Sequence, residues 1–174
     1  MADPRKAHKG TWAEDLVERA CVYYQRAGAL ALERIGTPMK QNAAGAAIYV
    51  RKSISDFIGV MPGGRSVALE VKSTMDAKGF ALAPIRKAGH QLVFLRRHAG
   101  FGGLGVILFV WSPGPAVTAS LVRFDDVETF LTSFPDPTVM PFSWLTDHGL
   151  RCPYNPRVAG IDFLGALHTL ADRA

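Results

Sequence analysis

Asp56, Glu70 and Lys72 are residues of this chain whose types and spacing fit a chemistry. In Ser66–Ser73, Val67, Leu69 and Val71 alternate with Ala68, Glu70 and Lys72. A period of two predicts a strand from which Glu70 and Lys72 leave on one face, about 7 Å apart along the chain. Asp56 belongs to Ser55-Asp56-Phe57-Ile58-Gly59, within a second predicted strand, Ile54–Val60. Pro62-Gly63-Gly64 between the two strands is a hairpin signal, and a hairpin brings Asp56 beside Glu70. Two neighbouring carboxylates bind a hard divalent cation through oxygen. A lysine beside such an ion holds or deprotonates a water, or offsets charge developing on a phosphate. The set suits phosphodiester cleavage. Glu-x-Lys is equally the pattern of a surface pair on the solvated face of a sheet; the apolar residues flanking both segments weigh against that alternative.

Further candidates lie on predicted helices and on basic stretches. Thr11-Trp12-Ala13-Glu14 matches a capping box, yet Glu14 stands three residues before Val17 and so faces the packed side of the same helix. The cap and a catalytic site compete for this carboxylate. Gln91 and His90 are either site residues or ordinary helix surface. Arg86, Lys87, Arg96, Arg97 and His98 form a basic helix flank, which is a solvated face or a set of phosphate contacts. Lys40, Arg51 and Lys52 bracket a short insertion, and Arg5, Lys6 and Lys9 lie in a basic arm over residues 1–10.

Charge sharpens the nucleic-acid option. The 174 residues carry 20 Lys and Arg against 15 Asp and Glu, a formal net charge of +5. Residues 1–100 hold sixteen of the basic and eight of the acidic residues, so the excess lies in the part that contains the candidate site. A basic part of this kind suits a polyanionic partner. Cys21 and Cys152 are the two cysteines, far apart and without metal-ligand spacing, so a disulfide scaffold and a zinc site are not expected. No phosphate-loop motif points to a nucleotide cofactor. No apolar run is long enough for a membrane span, and no apolar signal segment follows the N-terminal arm, so the expected location is cytoplasmic.

The elements that must position these residues follow from periodicity and punctuation. Thr11 to about Ala27 reads as a helix closed by Gly28. Ala29–Ile35 and Ala47–Val50 read as strands, with a loop or short protrusion over Met39–Ala47. One helix is predicted from Pro84 to about Ala99 on the apolar face Ile85, Ala88, Leu92 and Leu95. Leu104–Val110 is apolar enough for a central strand buried on both faces. Thr118–Phe124 reads as a strand, followed by a short helix capped by Asp125. The proline-rich stretch from Phe134 to Pro156 predicts irregular turns and a short helix near Phe142–Asp147. Ile161–Asp172 predicts a last helix. The fold class is α/β (α+β mixed sheet) with flanking helices, in one domain over 1–174 with a C-terminal extension at 134–174.

Taken together these segments resemble the RecU family of Holliday junction resolvases, within the PD-(D/E)xK nuclease superfamily. Gly10-Thr11-Trp12-Ala13-Glu14 with Tyr23-Tyr24, and Thr37-Pro38, resemble the family's first helix and the Thr-Pro before its insertion. Ser55-Asp56-Phe57-Ile58-Gly59 is similar to Thr-Asp-Tyr-Asn-Gly, and Leu69-Glu70-Val71-Lys72-Ser73-Thr74 to Phe-Glu-Ala-Lys-Glu-Thr. Phe80, Leu82 and His90-Gln91 are similar to a downstream segment ending in His-Gln. The resemblance covers about residues 10 to 111. It implies a restriction-endonuclease-like core and a magnesium site (manganese substituting) held by Asp56, Glu70 and the Val71 carbonyl. Lys72 would act on the attacking water, Glu14 would complete the site and Gln91 would support it near the scissile phosphate. It also implies a homodimer cutting branched double-stranded DNA, with a stalk at the insertion; small size and sparse cysteine fit a bacterial or phage-infected cell. The sequence departs from the family at Ile58, at Ser73 and in the shortness of Met39–Ser53. Other DNA structures, or DNA binding without cleavage, are the alternative functions.

Overall fold

Val106, Leu108 and Val110 face one hydrophobic core, while Ile107 and Phe109 face another. One strand therefore separates two cores, and the chain builds a layer of helices on each side of it. The computed structural model describes residues 11–36, 39–41, 47–49, 53–134 and 138–173. In chain order the elements are α1 (Thr11–Arg26), β1 (Ala31–Arg34), β2 (Met39–Gln41), β3 (Ala47–Tyr49), β4 (Phe57–Val60), β5 (Ser66–Thr74), β6 (Phe80–Ala81), α2 (Leu82–Lys87) and α3 (Gly89–Gly100). Then come β7 (Leu104–Trp111), β8 (Thr118–Arg123), α4 (Phe124–Ser133), β9 (Val139–Met140), α5 (Phe142–His148), β10 (Leu150–Arg151), β11 (Tyr154–Asn155), β12 (Gly160–Ile161) and α6 (Leu164–Asp172).

The main sheet has the order β1-β4-β5-β7-β8-β10. β5 and β7 are parallel, from Val67↔Leu104 to Thr74↔Trp111, because the α2–α3 crossover carries the chain back before β7 begins. The remaining pairs are antiparallel. α1 and α6 cover the face of Val67, Leu69 and Val71. α2 to α5 cover the face of Ala68. By strand alternation Glu70 and Lys72 share that second face. The fold is thus a mixed α/β structure with a central mixed sheet and flanking helices, and among the described residues no helix is long and apolar enough to cross a membrane.

The predicted turn at Pro62-Gly63-Gly64 is present: Met61 N–H donates to the Arg65 carbonyl at 2.9 Å, and Gly63 and Gly64 take φ of 91° and 88°. Those angles favour glycine. At Gly59 the reason for glycine is space, since a Cβ would run into the Ala31 carbonyl oxygen of β1. The Met39–Ala47 stretch contributes β2, which pairs with β3 as a short two-stranded ladder, Met39↔Tyr49 to Gln41↔Ala47.

Five expectations need correction. Asp56 lies just before β4, because Ser55 and Asp56 bond to β5 through their side chains instead of through a backbone ladder. The predicted single helix starts earlier, at Leu82, and breaks at Ala88 (φ −80°, ψ 31°) into α2 and α3; the flexible Gly89 follows the break. Asp125 is no cap: α4 begins at Phe124 and Asp125 bonds to Arg123. Ile161 belongs to β12, paired with Tyr154, and the last helix starts only at Leu164. The proline-rich tail also forms β10, which pairs with β8 and extends the main sheet.

Candidate active site

The site forms where β4 runs out and β5 continues. The β4–β5 register ends at Phe57↔Leu69, so Asp56 comes next across from Glu70. Beyond that point side chains take over the bonding of the β5 edge. Ser55 Oγ donates to the Leu69 carbonyl at 3.0 Å, and Val71 N–H donates to Asp56 Oδ2 at 2.8 Å. Ile35 N–H on the other side donates to the Asp56 carbonyl at 2.8 Å. Asp56 is therefore fixed at main chain and side chain. In a strand the N–H and C=O of one residue leave on the same edge, so the Val71 carbonyl faces the Asp56 side.

Glu70 is 1% exposed. Its Oε1 accepts a charged hydrogen bond from Lys72 Nζ. Its buried Oε2 has no hydrogen-bond donor among the described residues. Burial pushes the carboxyl up to about 8; Lys72 opposes the rise and the Asp56 carboxylate adds to it. Lys72 Nζ also lies 3.3 Å from Gln91 Oε1, which stands in the first turn of α3. Glu14, in the first turn of α1, is half-buried, and Arg34 Nη2 donates to its Oε2. Its carboxyl is raised first by burial and next by Asp56, while Arg34 opposes both. Arg34 in turn ends β1, and its neighbour Ile35 bonds the Asp56 main chain, which ties Glu14 to the segment that carries Asp56. Asp56, Glu70, Lys72 and Gln91 thus converge from the lead into β4, β5 and α3, while Glu14 on α1 is linked to them through Arg34. The sequence reading weighed Glu14 as a helix cap; in the structure Arg34 engages its carboxylate.

An orphaned, fully buried carboxylate oxygen beside a second carboxylate fits a cation with hard-ligand preference. Among the described residues no three His, Cys, Asp or Glu side chains gather as a metal cage. Magnesium does not need one, since it commonly takes one or two carboxylates and completes its shell with water and substrate phosphate. The two carboxylates and the Val71 carbonyl fit that pattern.

The basic candidates are dispersed. Arg86 and Lys87 are exposed at the end of α2, near the start of the helix that carries Gln91. Arg86 Nη2 donates to the Phe134 carbonyl at 3.1 Å. Arg96 is paired with Glu128 of α4, and Arg97 is exposed further along α3. Lys40 lies in β2. Arg5, Lys6, Lys9, Arg51 and Lys52 lie outside the described residues. Cys21 and Cys152 are free and buried, and burial pushes both thiols up to about 12, so neither is a nucleophile.

Two contributors escaped the sequence reading. Ser55 supplies the bond that seats Asp56, and a serine beside a candidate aspartate carries no periodic signal. Arg34 was discernible in principle: Glu14 and Glu18, four apart, share a helical face beside Asp15, and one arginine closes the next strand.

A family model described as RecU, Recombination protein U, matches residues 8–168. The chain belongs to the RecU family. Among solved structures, this RecU-family chain is similar to Archaeoglobus fulgidus Hjc, a Holliday junction resolvase from an archaeal hyperthermophile. The two are 17% identical with a TM-score of 0.46, over 84% of this chain and 99% of that one. No curated protein sequence matches the chain. Family membership classes this RecU-family chain with nuclease-family proteins.

Proposed function

We propose that this chain is a magnesium-dependent, structure-selective endonuclease on a restriction-endonuclease-like core, resolving four-way DNA junctions by paired phosphodiester hydrolysis as a homodimer. The observation that carries the reading is Glu70, fully buried, with one oxygen held by Lys72 and the other without a donor, midway along β5 where Asp56 comes across from it. Family membership supports the same class of chemistry.

Asp56, Glu70 and the Val71 carbonyl would hold Mg2+, with Mn2+ as a substitute. An ion there supplies Lewis-acid polarisation of the scissile phosphate. Lys72 is kept at the site by Glu70 and Gln91, and its remaining donor capacity serves the attacking water or a non-bridging phosphate oxygen. Gln91 orients the lysine head. Glu14 adds a carboxylate at the rim, where it accepts a hydrogen bond from water. Arg86 and Lys87 suit phosphates of the bound duplex near the site, and a twofold enzyme suits two symmetric cuts.

Cleavage of a synthetic four-way junction, plain duplex, nicked duplex and flap, with magnesium and with chelator, tests the proposal beside Asp56→Asn and Glu70→Gln. Paired symmetric cuts on the junction alone, lost in chelator and in both variants, support it. Cuts on every substrate retain the nuclease and reject junction selectivity, consistent with the shortness of the β2–β3 ladder. Tight junction binding with no cut under any condition overturns the enzyme reading. Sedimentation of the free protein and its junction complex tests the dimer.

A further inference from the structure

We propose that Arg34 is a positioning residue that ties the Glu14 carboxylate to the segment carrying Asp56, and that Asp15 and Glu18 act as anchors holding the Arg34 guanidinium in place. The inference rests on the proposed nuclease reading for its kinetic arm but not for its structural one. Arg34 ends β1 opposite Phe57, and the next residue, Ile35, bonds the Asp56 main chain. The backbone that carries Arg34 is thereby tied to the segment that carries Asp56. From there the guanidinium crosses to α1. Its Nη2 donates to Glu14, and its Nη1 donates to Asp15 Oδ1 at 3.0 Å and to Glu18 Oε2 at 2.9 Å.

The three carboxylates are not equivalent. The Asp15 and Glu18 side chains are about half exposed, at 49% and 48%, while that of Glu14 is at 24%. Glu14 is the most buried of the three, and it carries the same charge as Asp56. Without a cation Glu14 would turn out to solvent. Engaging both Nη atoms with anions fixes the plane of the fork, which a lysine cannot reproduce because it presents a point charge on a flexible stem. With three carboxylates on one guanidinium the group stays net negative, so Arg34 is no spare cation for a DNA phosphate. Its ion pairs are partly exposed and add little to fold stability.

The test is a pair of double-mutant cycles on Arg34→Met, Arg34→Lys and Glu14→Gln. In the cleavage arm, Arg34→Met is expected to lower kcat on the order of 10- to 100-fold, the scale of a misplaced catalytic group. Junction affinity in chelator is expected to stay within about threefold, and Arg34→Lys is expected to recover only part of the loss. In the Glu14→Gln background the same arginine change is expected to cost no more than about twofold. Asp15→Asn with Glu18→Gln, which act on the site only through Arg34, is expected to lower kcat severalfold. An equal loss from Arg34→Met in both backgrounds would overturn the proposal, as would lost junction affinity with kcat intact.

The second arm needs no catalysis. Thermal unfolding in chelator is expected to show Arg34–Glu14 coupling of about 2 °C or more, larger than for Arg34–Asp15. Coupling in this arm from a protein that cuts nothing would keep the Arg34–Glu14 clamp and discard the nuclease reading. Absence of coupling would overturn the clamp whatever the activity.

Discussion

The raised carboxyl of Glu70 predicts a fold that loses stability as pH rises. The perturbation is Glu70→Gln, compared with the native chain in chelator from pH 5 to pH 9. Glu70 has a carboxyl raised from 4.5 to about 8, chiefly by burial. In the unfolded chain it releases its proton near its ordinary value, and in the folded chain it keeps it until about pH 8. The unfolded state therefore binds fewer protons between those limits, and stability falls with rising pH across that window. At 1.36 kcal/mol per pH unit the full displacement is on the order of 5 kcal/mol. Part of that is returned in the native chain, because water and side chains relax around the ionised carboxylate. A glutamine of the same shape does not titrate. The variant is expected to match the native chain near pH 5 and to exceed it by about 2–4 kcal/mol at pH 9, or roughly 5–15 °C in Tm for a domain of this size. Adding magnesium at pH 8 is expected to raise the Tm of the native chain and leave that of the variant unchanged, since the ion binds the ionised carboxylate. Differential scanning fluorimetry across the pH series reads both effects. A Tm difference that stays flat from pH 5 to pH 9 would refute the burial argument for Glu70.

Two packing predictions bear on how the site is seated. Gly59→Ala drives a Cβ into the Ala31 carbonyl, and backbone cannot yield as a flexible side chain can; a loss of more than about 3 kcal/mol is expected in denaturant unfolding, with the β1 edge detached. Ser55→Ala leaves the Leu69 carbonyl without its hydroxyl donor in a buried position; about 1–2 kcal/mol of stability is expected to go, together with a kcat loss that a distant substitution of equal destabilisation does not show.

Local pattern along the chain encodes several parts of this molecule. Alternation in Ser66–Ser73 put Glu70 and Lys72 on one face, because side chains of a strand repeat every two residues. The apolar run Leu104–Val110 announced a central strand, and Pro62-Gly63-Gly64 announced the turn. The first helix was legible from its stripe of Val17, Cys21 and Tyr24, all buried against the sheet. The family motifs around Asp56, Glu70 and Gln91 were legible for the same reason, as short strings of residues in a fixed order.

Other features depend on residues far apart in the chain. Asp56 left its predicted strand because β4 stops where side chains of Ser55 and Asp56 replace the ladder, an exchange set by β5. The tail joined the sheet through β10 and β8, against the irregularity its prolines suggested. Gln91 faces Lys72 because the chain breaks at Ala88 and restarts its helix toward the site. Glu14 bonds Arg34, a residue 20 positions away. Charge and polarity of each side chain are written in the sequence, but burial, and with it the energy of leaving a carboxylate ionised or an oxygen without a donor, exists only once the layers close over Glu70.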